Sequence, residues 1–123
     1  MSMKARQAAA KGFAQADRSW TFLDGSSRAA VILNSVVIGR GEYLPGWKWS
    51  LHVAPGAGTE LCGVEHVGLV LSGRAVAAMS TGDVIELNPG SLFHIPADPH
   101  DSWVVGDEPY VSLHFLGADH YAR

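Results

Sequence analysis

Residues 58–73 of the chain read GTELCGVEHVGLVLSG, and residues 88–100 read NPGSLFHIPADPH. Both stretches alternate short apolar runs with glycine or proline, a pattern that favours short strands separated by tight turns. Turn signals of this kind recur about every ten residues through the second half of the chain. No helical pattern of about 10–15 residues lies between them, so a parallel sheet with crossover helices is excluded.

The strand-like runs continue this pattern over most of the chain. They cover residues 30–38, 47–53, 59–64, 67–71, 75–79, 84–87, 92–95, 102–105 and 110–115. The first 18 residues differ, since they are rich in alanine and charged residues and contain no apolar block. We therefore expect an N-terminal arm over residues 1–18 with a turn or two of helix, followed by one all-β domain over residues 19–123.

The composition excludes several classes of function. The chain has 123 residues, of which 47% are hydrophobic and 17% charged, as in one globular domain with a packed core. The net charge of −3 argues against a nucleic-acid partner. No apolar run approaches the ~18–20 residues that span a bilayer, so no membrane partner is expected. The start of the chain does not resemble a secretory signal, and Cys62 has no cysteine to pair with, so a cytoplasmic location is expected.

The two quoted stretches resemble the sequence motifs of the cupin superfamily. The first motif ends in a ligand residue and, several positions later, a glycine; here these are His66 and Gly73, seven positions apart. The second motif corresponds to residues 89–100. Small bacterial cupins of undefined function share further residues, which this chain has as WKW at 47–49, CGVEHVGLVLSGR at 62–74 and PHDSWVVGDEP at 99–109. The resemblance covers about residues 44–116. It implies an all-β fold: a single-domain cupin jelly-roll β-barrel with a short N-terminal arm.

The resemblance also implies a metal site inside the barrel, with a ligand pattern that differs from the usual one. This chain has His66 where the family usually has glutamate. It has Glu60 and Cys62 where the family usually has a His-x-His pair, and only His100 is the expected residue at its position. Because alternate residues of a strand share a face, Glu60 and Cys62 could still point into the barrel together.

Three ligand sets are compatible with these substitutions. The preferred set has three imidazoles and a thiolate, suits zinc, and consists of His52, Cys62, His66 and His100. If runs 47–53 and 59–64 pair as strands, His52 lies opposite Glu60 and diagonal to Cys62. The second set is a two-histidine-one-carboxylate face suited to iron(II), formed by Glu60, His66 and His100. The third set keeps Cys62, His66 and His100 and leaves open which residue is the fourth ligand.

Two further residues, Glu60 and Trp103, are the expected lining of a substrate pocket. The indole of Trp103 would give an organic ligand a flat apolar wall, whereas Trp47 and Trp49 are expected to be core residues. A thiolate–imidazolium nucleophile at Cys62 is disfavoured, because no oxyanion-hole pattern or helix N-terminus is visible near it.

The implied function is the binding of one divalent ion, with zinc favoured and iron or manganese as alternatives. The ion would polarise a carbonyl or carboxylate of a small organic ligand, or activate a bound water. In the alternative, four protein ligands close the site, and the protein is a non-catalytic small-molecule or metal-sensing module. A third hypothesis is a barrel that has lost its metal. Small cupins commonly pair, so a homodimer is expected, while the sequence leaves open whether the protein is an enzyme.

Overall fold

The computed structural model describes residues 7–118 of the chain, which form antiparallel strands and three short helices. The strands are β1 (Arg18–Thr21), β2 (Ser27–Leu33), β3 (Val36–Tyr43), β4 (His66–Ser72), β5 (Arg74–Met79), β6 (Val84–Leu87), β7 (Leu92–Ile95), β8 (His100–Val105) and β9 (Tyr110–Leu116). The α-helices are α1 (Trp49–His52) and α2 (Ala54–Ala57), and a 3-10 helix covers Phe13–Gln15 in the predicted arm. The expected all-β class is confirmed. No helix within residues 7–118 has the length and apolar character needed to cross a membrane.

The strands form two antiparallel sheets that pack face to face. The larger sheet has the order β1-β2-β3-β9-β4-β7, and the smaller one has the order β6-β5-β8. The buried core contains residues of both sheets, including Tyr43 and Val70 from the larger sheet and Ala77, Leu87 and Val104 from the smaller one. This two-sheet sandwich is the jelly-roll arrangement that the sequence predicts.

Hydrogen bonding does not close the barrel within residues 7–118. The connection from β3 to β4 runs past the free edge of β8 as helices and loop, so no ladder forms there. The backbone of this connection pairs with that edge in two isolated bridges, Lys48 with Trp103 and Cys62 with His100, and α1 and β8 form further side-chain hydrogen bonds. The second of these bridges bears directly on the candidate site.

The predicted strands over 47–53 and 59–64 are wrong, because α1 lies within the first range and the second is a loop after α2 with an isolated bridge at Cys62. Trp49 and Val53 are one helical turn apart and both buried, which gives the helical segment an apolar face. Pro55 occupies the first turn of α2, where its missing N–H costs nothing. Gly58 ends α2 with a φ of 76°, in the left-handed region that glycine adopts without strain.

The predicted strand over 30–38 is a hairpin of two strands. β2 ends at Leu33 and β3 begins at Val36, with Asn34 at a φ of 55° in the turn between them. Asparagine tolerates this left-handed conformation better than most residues.

The last residues of the predicted N-terminal arm are tied to β2. The Asp17 backbone N–H donates to the Ala30 carbonyl at 2.9 Å, and the Asp17 carboxylate accepts from the Ile32 N–H at 2.7 Å. β1 then begins at Arg18 and pairs with β2. Residues 1–6 of the arm lie outside the described residues.

Candidate metal centre

Three of the four residues in the preferred ligand set lie together inside the sandwich. The ligand atoms of Cys62, His66 and His100 are all within 4.8 Å of one another. The three side chains are buried, with 5%, 5% and 2% of their surface exposed. They come from the loop before β4, the first residue of β4 and the first residue of β8. The group therefore joins residues of both sheets.

The backbone explains why Cys62 and His100 are adjacent. The Cys62 N–H donates to the His100 carbonyl, and the His100 N–H donates to the Cys62 carbonyl, both at 2.9 Å. His66 follows Cys62 by four residues and is anchored by pairing with Ile95 of β7. The three ligand candidates are thus held by the main chain and do not depend on a metal to bring them together.

Hydrogen bonds orient two of these side chains. The Nδ1–H of His100 donates to the Asp98 carbonyl at 3.0 Å, which leaves Nε2 as the free ligand atom. The backbone N–H of Val64 donates to the Cys62 sulfur. The Nδ1 atom of His66 is buried and has no hydrogen-bond partner among residues 7–118.

The separation between Cys62 and His66 fits tetrahedral coordination of zinc. Zinc–sulfur and zinc–nitrogen bonds of about 2.3 and 2.05 Å at a tetrahedral angle place the two ligand atoms about 3.5 Å apart. The Cys62 Sγ and His66 Nε2 atoms are 3.7 Å apart. A thiol and two imidazoles also match the donor types that zinc prefers. The residues therefore fit the ion.

Burial sets the protonation states of the candidate ligands. Desolvation, assisted by His114, lowers the pKa of His66 to about 2, and desolvation also lowers the pKa of His100. Both imidazoles are therefore neutral near pH 7, the form that binds a metal. Desolvation raises the pKa of the Cys62 thiol, so a metal would have to displace its proton.

The group opens onto a small internal cavity of about 40 Å³. This is room for an ion with one or two waters, or for about three water-sized atoms, and it is far too small for a drug-sized ligand. The polar residues that line it, apart from the three candidate ligands, are Arg28, Tyr43, Ser102, Tyr110, Ser112 and His114.

A further histidine, His114 of β9, faces this cavity, although the sequence left its side open. Its ring centre is 5.2 Å from that of His66, and its Nε2 atom lies 3.1 Å from the Ser112 Oγ atom. Desolvation, together with the charge of Arg28, lowers its pKa to about 3. The ring is not part of the three-residue group.

The structure separates His52 from the other predicted ligands. His52 lies on α1 and not on a strand, and its Nδ1 atom accepts a hydrogen bond from the Lys48 N–H at 3.0 Å. Its side chain borders a different cavity of about 400 Å³, lined largely by apolar residues such as Trp20 and Phe22. The strand pairing that placed His52 beside Cys62 does not form, so the argument for including it is lost.

The two predicted pocket residues also lie away from the cavity. Glu60 is exposed on the loop after α2, so the carboxylate-containing ligand set is not assembled. Alternation along β8 turns His100 and Ser102 into the cavity and Trp103 to the opposite face. There the Trp103 ring is half-buried, with the Lys48 ammonium 5.4 Å from its centre.

Arg28 and Tyr43 are cavity residues that the sequence analysis missed. The sequence signal for Arg28 was a single arginine within the apolar run of β2. Arg28 and Ala30 are two residues apart in this strand, so they lie on the same buried face. A buried charge on such a face marks either a buried ion pair or a polar site.

Comparison with known proteins identifies solved structures that resemble this fold. No protein-family profile matches the chain, and no curated protein matches it. A solved structure of a protein of unknown function from Acidithiobacillus ferrooxidans is 27% identical, with a TM-score of 0.61, and the match covers 93% of this chain and 97% of that chain. A protein of unknown function from Rhizobium leguminosarum is 22% identical, with a TM-score of 0.60 and coverage of 86% and 92%.

The solved structures that match also include one described as a cupin and one described by its double-stranded β-helix domain. A sugar phosphate isomerase from a cupin superfamily, from Silicibacter pomeroyi, is 15% identical, with a TM-score of 0.59, covering 86% of this chain and 73% of that chain. A Klebsiella pneumoniae protein with a double-stranded β-helix domain is 19% identical, with a TM-score of 0.52 and coverage of 72% and 73%. The resemblance to small cupins of undefined function is confirmed, and at this level of identity the likeness concerns the fold.

Proposed function

We propose that this protein is a cupin that binds one divalent ion, preferably zinc, through Cys62, His66 and His100. The observation that carries the proposal is the convergence of these three buried ligand atoms within 4.8 Å. Three protein ligands leave a fourth position for water or a small ligand, as in catalytic zinc sites. An ion in that environment supplies Lewis-acid chemistry: it polarises a bound oxygen or lowers the pKa of a bound water.

The size of the cavity favours a binding module as the second candidate function. An organic substrate larger than a few atoms does not fit in about 40 Å³. If the fourth position is filled permanently, the ion would serve stability or sensing and not turnover. The coordination of the metal in the loaded protein distinguishes these two functions. An exchangeable water on the metal supports catalysis, and four protein ligands support a binding or structural role.

The test is the metal content of untagged protein purified without added metal, measured by element-specific mass spectrometry. We expect about one equivalent of zinc, in line with a single site. His100→Ala and Cys62→Ser should each weaken binding by more than the about 10–100-fold that loss of an outer-shell partner costs.

His52→Ala and Glu60→Gln are the matched controls and should leave the metal content unchanged. A loss in His52→Ala as large as in His100→Ala would contradict the three-residue site. Full occupancy in His100→Ala, or no uptake of any divalent metal on titration, would overturn the proposal.

Two further features belong to this proposal. A free Cys62 that acts as a thiolate requires reducing conditions, which supports the cytoplasm as the location. β1 is an edge of the larger sheet and could pair with a second copy of the chain, which supports a homodimer. Light scattering coupled to size exclusion would check the oligomeric state.

A further inference from the structure

A second cavity, of about 400 Å³, lies away from the candidate metal centre. It is lined by residues 20–23, at the end of β1 and in the turn that follows, and by four of residues 52–56, in the segment of α1 and α2. Cys62, His66 and His100 do not line it. The cavity is therefore a separate place on the molecule, with about 400 Å³ against about 40 Å³ in the interior cavity.

The walls of this second cavity are mainly apolar and partly aromatic. Trp20 and Phe22 contribute rings from one side, and Val53 and Pro55 contribute aliphatic groups from the helical segment. Within residues 7–118, no lysine, arginine, aspartate or glutamate lines it. Ligand pockets in proteins hold about 300–1,000 Å³ and are lined by apolar and aromatic side chains with a few polar groups, so both size and lining fit a small organic ligand.

The absence of charge in this lining selects the kind of ligand. A charged molecule would lose its hydration in the cavity without meeting an opposite charge, which is unfavourable. An uncharged molecule has no such cost, and a flat ring gains contact area with the aromatic walls. The lining therefore favours a neutral aromatic ligand over an anion or a cation.

His52 supplies a hydrogen-bond donor to the second cavity. Its Nδ1 atom accepts from the Lys48 backbone N–H at 3.0 Å, so the proton of the ring lies on Nε2. Among residues 7–118 this Nε2–H has no hydrogen-bond partner, and it is not enclosed by protein atoms. The backbone thus fixes the tautomer in which the ring offers one N–H to a bound molecule.

We propose that the second cavity binds a small uncharged aromatic molecule that carries one hydrogen-bond acceptor, such as a carbonyl oxygen. The acceptor takes the Nε2–H of His52, and the ring packs between Trp20, Phe22 and the helical segment. A volume of about 400 Å³ is near the lower end for ligand pockets, which corresponds to a molecule of one or two rings. The inference does not depend on the proposed metal function, because the two sites share no residue.

The test is an NMR titration of the full chain, labelled with nitrogen-15 and treated with chelator, with three probes of similar shape. Acetophenone carries the acceptor, α-methylstyrene has a methylene group in place of the carbonyl oxygen, and benzoate carries a charge. We expect acetophenone to bind about three- to tenfold more tightly than α-methylstyrene, because it gains one hydrogen bond. Benzoate should bind at least about tenfold more weakly than acetophenone, because no cation meets its charge.

The position of the bound probe is read from the same spectra. Backbone amide signals of residues 20–23 and 52–56 should shift saturably with acetophenone, while those of β5 should not. Saturable shifts confined to other parts of the chain would overturn the inference, as would no binding of acetophenone at its solubility limit. Equal affinities for acetophenone and α-methylstyrene would also overturn it.

Substitutions assign the hydrogen bond to His52. His52→Leu removes the donor and should weaken acetophenone binding about three- to tenfold, while α-methylstyrene binding stays within about twofold. His52→Gln keeps an N–H group and should restore most of the difference between the two probes. His94→Gln is the matched control, since His94 is exposed, pairs with Glu65 and does not line the cavity. Equal weakening of both probes in His52→Leu would indicate a merely structural role and would overturn the assignment.

The outcome for this cavity can be told apart from the outcome for the metal. Acetophenone binding to chelator-treated protein supports the inference even if no metal binds, and normal zinc content without acetophenone binding overturns this inference alone. An affinity that falls as the protein concentration rises would show that a second copy covers the cavity, and would overturn it. Should His52→Leu fail to fold, the comparison of the three probes on the unmodified protein still decides the question.

Discussion

Mild acid should strongly destabilise the metal-free protein, because two imidazoles are buried in their neutral form. The ordinary pKa of 6.5 falls to about 2 for His66 and to about 3 for His114 in the folded state. As the pH falls below 6.5, the unfolded chain takes up protons that the folded chain excludes. The folded state therefore loses stability progressively as the pH falls from 6.5 towards the folded pKa values.

The size of the effect follows from these values. At about pH 4.5 each unfolded imidazole gains about 2.7 kcal/mol by protonation, because one pH unit corresponds to about 1.36 kcal/mol. His66 and His114 together should therefore lower the free energy of unfolding by about 5 kcal/mol between about pH 7 and about pH 4.5. A domain of this size has about 5–15 kcal/mol in total, so the loss is a large part of its stability. His100, whose pKa burial also lowers, acts in the same direction.

The assay is urea unfolding of chelator-treated protein at several pH values, followed by tryptophan fluorescence. A variant with His66→Gln and His114→Gln should lose much less stability over this range, whatever its stability at neutral pH. His94→Gln is the control, since the His94 side chain is 55% exposed and pairs with Glu65 at the surface. A wild-type loss below about 1 kcal/mol, or the same loss in the double variant, would refute the reasoning.

Three further substitutions test the packing around the site. In Gly117→Ala, the new Cβ would lie 2.7 Å from the Nδ1 atom of His66 at a φ of 92°, so we expect metal affinity to fall about 10–100-fold in a chelator competition. In Gly41→Ala, the new Cβ would meet the ring of Tyr43 and should cost about 1–3 kcal/mol of unfolding free energy in urea. Trp103→Leu should leave the metal content unchanged, because its ring lies on the outer face of β8; a loss of metal would return this residue to the pocket.

The strands of the second half of the chain could be predicted from sequence because local chemistry specifies them. β6 and β7 have the predicted bounds, and β5, β8 and β9 differ from them by one or two residues at an end. Each is a short apolar run bounded by glycine or proline turns, so register and length follow from residues close in sequence.

The segment between β3 and β4 could not be predicted in the same way. The spacing of its apolar residues fits short strands and turns of helix equally well. Runs this short contain too few repeats of the apolar pattern to distinguish the two. The spacing of Trp49 and Val53, the proline at the start of α2 and the glycine after it are the signals that favour helix. The strand that would have placed His52 beside Cys62 does not form, so the prediction of His52 as a ligand has lost its structural argument.

The candidate site was predictable only where it follows a motif. Cys62, His66 and His100 belong to the two stretches that carry the resemblance, and the structure brings them together. Arg28 and His114 come from β2 and β9, and which strands face the site is decided by the order of the sheets. Sheet order is a long-range property that alternation along one strand does not encode.

The position of the ligand candidates would give a bound ion a second role. His66 starts a strand of the larger sheet, His100 starts a strand of the smaller sheet, and Cys62 lies in the connection between β3 and β4, where it forms an isolated bridge with His100. An ion bound by all three would join the sheets at the edge where the described residues form no hydrogen-bonded ladder. Binding to the folded state alone adds about 4 kcal/mol of stability at a thousandfold excess over Kd. The metal would thus stabilise the open edge of the sandwich and, through the same contacts, fix the cavity that Arg28 faces.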